Sequence, residues 1–286
     1  MKKNNKYIFI LIIFIFIISI LLKYQEYRKE RSEINLLISK GLAFYSKDRN
    51  KDLKIDSYIM LKEIAKHTKN ESLLIEESIH DDDLFIRFLD NEKFPESLSS
   101  MMPKLYPPYM VDLNDDYART EPFAGVLLKA LYCDKLGYTD YDFGILHTLY
   151  NGDGSYWDTH FLLSLIFLKN NNCYDATKIN SAIKKVAESI ATVAKKDTEF
   201  TDVYAERIVM LYWAGYGNLV EKAWVDKVKE NFMDNPPGWK TVSFLPYPNS
   251  HTTGLAILSL IYYLEGENYQ PLISLDKSSV SDILKE

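Results

Sequence analysis

Glu206 and Arg207 lie side by side at the head of an apolar segment, Ile208-Val209-Met210-Leu211-Tyr212-Trp213. Charges in such a setting are costly unless they are paired or face a cavity. Asp202 precedes Glu206 by four residues, so on a helix the two carboxylates share one face. A Glu and an Asp around a cavity can serve as acid and base on a sugar, as they do in glycosidases. Comparable polar openings recur along the chain. Asp158-Thr159-His160 precedes FLLSLIFL, Ser250-His251-Thr252-Thr253 precedes GLAILSLIYYL, and Arg119-Thr120-Glu121 precedes PFAGVLLKALYC. Glu206, Asp158, His160 and His251 are therefore the candidate catalytic residues. Two imidazoles and a carboxylate also suit a zinc ion with an open position, so His160 and His251 are the ligands if a metal is held. Arg207, Asp202, Tyr204, Glu121 and Trp239 are the candidate ligand contacts. Each of these residues also has a structural reading. Asp202 beside Thr201 can cap a helix, Glu206 or Arg207 can pair with a neighbouring helix, and the histidines can bond locally. The aromatic residues, 21 Tyr and 4 Trp among them, can simply pack a core. No phosphate-cradling glycine loop, nucleophile elbow or kinase signature occurs, and no cofactor follows from the motifs.

The elements that must position these residues alternate between two kinds. The runs after Phe161, Ile208 and Gly254 have no polar face, as expected of buried helices. Ile179, Ile183, Val186, Ile190 and Val193 form one stripe with Lys184, Lys185 and Glu188 on other faces, an amphipathic surface helix; 220–232 is similar. A buried helix followed by an amphipathic one, repeated, predicts two concentric layers. Upstream, the spacing predicts helices over 33–45 and 52–67 and one or two more within 72–90. Pro95, Pro103, Pro107 and Pro108 predict a loop over 91–116, long enough to be functional.

The chain's 286 residues suffice for one large domain. A basic head, Met1 to Lys6, precedes Tyr7–Leu22, which carries no charge. Sixteen such residues with the snorkelling stems of Lys6 and Lys23 are just enough to span a bilayer. No small-residue cleavage site follows Leu22, which favours an uncleaved signal anchor over a signal peptide. Lysines and arginines flank both sides, so charge alone does not orient it. A short basic head places the remainder outside the cytoplasm. The expected organisation is an anchor over 1–23, a charged stalk and first helix over 24–50, and a helical domain over 51–286. A net charge of −6 without a basic stripe excludes nucleic acid as a partner. Cys133 and Cys173 can pair in an oxidising compartment, but the favoured expectation is two small buried hydrophobes at helix ends.

The segment Asn231-Phe232-Met233-Asp234-Asn235-Pro236-Pro237-Gly238-Trp239, followed by Ser250-His251-Thr252-Thr253-Gly254-Leu255-Ala256, resembles the repeat of the prenyltransferase and terpenoid-cyclase α/α toroids. In that superfamily a Gly-x-Trp-type turn leads into an inner helix. Asp153-Gly154-Ser155-Tyr156 is a looser copy, and the resemblance covers 117–266. It implies an all-α fold, an α/α toroid behind an amino-terminal transmembrane helix. The family's Asp-x-Asp-Asp acid motif and its zinc ligands have no counterpart here, so its chemistry is not implied. Two functions remain as expectations. One is binding or processing of a carbohydrate or lipid-linked ligand in a polar cavity at the inner-helix amino ends. The other is a non-catalytic helical-repeat scaffold for a protein partner at the membrane.

Overall fold

The computed structural model describes residues 2–45, 55–70, 73, 84–88, 92–105, 116–242, 244–266 and 269, with side chains set aside at 2–11, 55–56, 88, 103–105 and 116–123. The chain is mostly helical, with eleven α-helices among the described residues. They are α1 (Lys2–Leu42), α2 (Ile55–Thr68), α3 (Glu96–Leu105), α4 (Asp116–Leu131), α5 (Cys133–Leu136), α6 (Asp140–Thr148), α7 (Tyr156–Asn170), α8 (Ala176–Ala194), α9 (Asp202–Trp213), α10 (Lys222–Glu230) and α11 (Ser250–Glu265). A two-residue antiparallel pair, β1 (Met233–Asp234) with β2 (Pro237–Gly238), joins α10 to the segment before α11 and contains a cis Asn235–Pro236 bond.

Five helices pack in the order α2–α11–α9–α7–α4. The runs without a polar face account for the middle three: Phe161–Leu168, Tyr204–Trp213 and Thr252–Tyr262 are buried throughout. All five point the same way. Ser57 and Ser250 bond across the beginnings of α2 and α11, and His67 and Glu265 across their ends. Asp202 meets Thr252 where α9 and α11 begin, and the Trp213 indole donates to the Tyr262 hydroxyl where they end. Asn171, capping the end of α7, donates to Leu131 O at the end of α4. Close approach is needed at Gly254, where an added Cβ would stand 2.7 Å from the Met60 Cβ of α2.

The amphipathic helices run the other way on the outside. α8 buries Ile179, Ile183, Val186 and Ile190 as expected, and its Val193, near the end, packs against Gly154 before the start of α7. α10 buries Trp224, Val225 and Val228. The amino end of each buried helix therefore lies at one end of the domain. That is the arrangement in which polar residues entering different buried helices converge.

Three sequence expectations change. The helix expected over 33–45 and the apolar segment before it form one continuous helix, α1, whose Ile34 and Ile38 are buried in the domain. Part of the loop expected over 91–116 is α3, which begins just after Pro95. A proline there precedes the first turn, whose N–H groups need no intrahelical partner, and Pro103 lies two residues before the helix end. The cysteines are paired, not free: Cys133–Cys173 ties the ends of α4 and α7 together. The bridge encloses 40 residues, which corresponds to about 4 kcal/mol of denatured-state entropy. Most of 72–90, expected to be helical, lies outside the described residues; Ile86–Phe88 form a 3-10 turn.

Among the described residues no helix is long and apolar enough to cross a membrane. The expected span, 7–22, begins outside the described side chains. Its described part, Ile12–Leu22, is exposed along its length on α1.

The far end of the inner row holds a second titratable group. His67 on α2 places Nδ1 2.7 Å from Glu265 Oε1 and Nε2 3.8 Å from Glu63 Oε2. Burial pushes the imidazole down, but the two carboxylates outweigh it and hold His67 above its ordinary value. Burial pushes the Glu63 carboxyl up, and His67, Lys66 and Lys62 more than reverse this, holding it below its ordinary value. Stability from His67 is fully present below the unfolded value of about 6.5 and is lost as pH rises through the raised folded value. Stability from Glu63 is present above its unfolded value and lost as pH falls through the depressed one. Melting temperature should therefore hold through mildly acidic pH and decline on the alkaline side of 6.5. In His67→Asn that alkaline decline should flatten; an unchanged profile by scanning calorimetry would remove His67 as its source.

Candidate functional site

α9 begins at Asp202 because the Thr201 side chain caps it, accepting from Tyr204 N. Its first turns then carry two carboxylates on one face, and each meets a histidine from a flanking helix. Asp202, at the start of α9, lies 3.2 Å through Oδ1 from His251 Nδ1 of α11. Glu206, one turn further, lies 3.0 Å through Oε1 from His160 Nδ1 of α7. The shared face read from the four-residue spacing thus opens toward two different helices. The pairing partners lie 46 and 49 residues away along the chain, beyond what local spacing specifies.

Two hydroxyls complete the cluster. Thr159 Oγ1 is 2.9 Å from Glu206 Oε1, and the Thr252 hydroxyl donates to Asp202 Oδ1. Both threonines are fully buried. They stood in the polar openings of the sequence but were not singled out; the signal was a hydroxyl next to each candidate histidine. Thr252 also meets Thr241 Oγ1 at 3.3 Å, and Asp202 N donates to Thr241 O, so the segment before α11 is tied into the site. The Tyr156 ring lies 3.8 Å from the His160 ring, centroid to centroid.

The electrostatics follow from this packing. Burial pushes the Asp202 carboxyl up, but the His251 hydrogen bond and charge, the Thr252 hydroxyl and the charge of His160 outweigh it and hold it below its ordinary value. The influence of His160 on Asp202 makes the two pairs one cluster. His160 Nδ1 faces two acceptors, Glu206 Oε1 and Tyr156 O at 3.0 Å, so this nitrogen carries the proton. His251 Nδ1 faces a carboxylate in the same way. In both pairs a carboxylate orients an imidazole and fixes its tautomer. Glu206 is 2% exposed and its Oε2 has no hydrogen-bond partner among the described residues. An acceptor buried in this state calls for a donor.

The other candidates sit elsewhere or are already engaged. Asp158 is fully buried and closes the loop before α7, accepting from Asn151 N, Gly152 N and Gly154 N at 2.9, 3.2 and 2.6 Å. It is a loop clamp, and Gly154 with its positive φ of 65° is the residue it holds most tightly. Arg207, the next residue of α9, donates to Gly154 O just before α7 and pairs with Asp197. Tyr204 is buried under Lys227, whose Nζ stands 4.7 Å from its ring, and burial raises its hydroxyl above the ordinary value. Trp239 is a core residue: its indole donates to Val228 O and packs on Phe232 and the end of α1. Glu121 lies in α4, whose amino end is on the side of the cluster, but its side chain is outside the described residues.

Among the described residues no three His, Cys, Asp or Glu side chains are grouped so as to hold a metal ion. Each imidazole instead spends Nδ1 on a carboxylate, a geometry suited to proton transfer. A depression of about 320 Å³ at the opposite end of α7 is lined by Lys169, Asn172 and Tyr174 and has no acidic residue, so it lacks a comparable pairing. Compared with protein-family models, with curated proteins and with solved structures, the chain matches none of them.

Proposed function

We propose that this chain is a membrane-anchored helical domain of α/α-toroid type that performs general acid–base chemistry on a carbohydrate or lipid-linked ligand. The observation that carries the reading is the convergence of two carboxylate–histidine pairs where three buried, parallel helices begin. His160 and His251 act as acid and base. Glu206 and Asp202 position them. Parallel inner helices flanked by antiparallel outer ones support the toroid arrangement, as do the turn and helix at Gly238-Trp239 and Ser250–Glu265. The anchor is supported by the exposed apolar run Ile12–Leu22 together with the uncharged residues preceding it. The Cys133–Cys173 bridge supports a domain facing an oxidising compartment outside the cytoplasm.

The test is release of reducing ends from a panel of oligosaccharides by the purified full chain, with His251→Gln and Asp202→Asn as variants. His251→Gln is expected to lower the rate about 100-fold or more at unchanged melting temperature, and Asp202→Asn by a smaller factor. A panel that gives neither turnover nor a ligand-dependent melting shift would leave the scaffold function in its place.

A further inference from the structure

Resting on that reading of the site, we infer that its substrate is a polysaccharide strand taken from solvent, at the end of the domain farthest from the membrane. The direction of α1 is fixed by three contacts with α11. Arg31 Nη1 donates to Leu264 O at 3.4 Å, Gly41 packs on Ile257, and the Tyr45 hydroxyl donates to Ser250 O. α1 therefore runs antiparallel to α11. Followed back toward its apolar part, it leaves the domain past the carboxyl end of α11. His251 and Asp202 lie at the other end. Between Leu22 and Leu42 a helix rises about 30 Å. A sugar whose lipid lies in the bilayer around Ile12–Leu22 would have to bridge that distance to reach His251.

The surroundings of the site suit a sugar chain. The described residues 240–242 and 244–248 belong to a segment closed at its base by Asn249 N donating to Trp239 O at 2.8 Å, and Thr241 ties it to Asp202 and Thr252. Its outer part presents Phe244, 83% exposed, and Tyr247, 69% exposed. Tyr156, packed on His160, is exposed as well. At this end of the molecule such rings are too far from α1's apolar run to rest in its bilayer. The exposed face of Tyr156 on His160, with Phe244 and Tyr247 on the loop tied to Asp202 and Thr252, matches the apolar faces of sugar rings.

The experiment uses the full chain in phosphatidylcholine–phosphatidylglycerol vesicles. With both native cysteines in the bridge, Tyr247→Cys and Tyr24→Cys each supply one thiol for a fluorophore. Doxyl-labelled lipids should quench the label at 24 and leave the label at 247 unchanged. In the same vesicles, binding of chitohexaose, cellohexaose and maltohexaose is compared with binding of a polyprenyl-linked disaccharide embedded in the bilayer. At least one soluble hexaose should bind, roughly five-fold more weakly to Phe244→Ala/Tyr247→Ala. Quenching at 247, binding of the lipid-linked sugar alone, or full affinity in the double variant would overturn the inference and leave the acid–base reading standing. Binding of no sugar would overturn both.

Discussion

Replacing Asp158 by Ala should destabilise the domain by about 3 kcal/mol, read as a lower urea midpoint at unchanged slope. Asp158 is fully buried and a single carboxylate serves three backbone donors, those of Asn151, Gly152 and Gly154. Bonds to a charged acceptor contribute more than neutral ones, and the Gly154 N–H is buried, so losing its partner carries the full desolvation cost. The loop it holds also supplies Gly154 O to Arg207, which in turn pairs with Asp197. Loss of the clamp therefore loosens a second buried charge. Asp158→Asn keeps the shape but turns one acceptor into a donor, and should cost less. A normal midpoint for Asp158→Ala, combined with lost turnover, would return Asp158 to the chemistry and refute the clamp.

The contrast between Asp158 and Glu206 marks where the sequence is legible. Both are acids at the entrance of an apolar helix, and nothing in their immediate neighbours separates them. Asp158 follows Gly152 and Gly154, whose positive φ angles turn the backbone so that its N–H groups face the carboxylate. That is a property of loop geometry, which the glycines suggest and do not specify. Glu206 is followed only by helix, so its partners must come from elsewhere in the chain. The periodicity of α8 and the unbroken apolar runs of α7, α9 and α11 are local properties, and those elements were readable. Which histidine meets which carboxylate depends on helices that are neighbours in space across more than 40 residues of chain. The Cys133–Cys173 bridge was hidden for the same reason: spacing in sequence does not say that the ends of α4 and α7 are side by side. The prolines misled in part because Pro95 stands just before α3, where its missing N–H is not needed.

Replacing Glu206 by Gln is expected to lower turnover about 100-fold or more while moving stability by less than about 1 kcal/mol. Glutamine retains an oxygen for Thr159 Oγ1 and fills the same buried volume, so packing is kept. What it loses is the negative charge facing His160 and the second acceptor at Oε2. His160→Gln should reduce turnover at least as far, because the proton-transferring nitrogen itself is gone. Two residues that act through one proton relay are strongly non-additive. The double variant should therefore be little slower than His160→Gln alone, whereas independent roles would multiply the two losses. Full activity in Glu206→Gln, or multiplicative losses in the double variant, would separate Glu206 from His160 and dissolve the pair as a functional unit. The structural alternative, in which Glu206 merely joins α9 to α7, predicts the opposite pattern: a fall in stability with each single change and turnover that follows only the fraction folded.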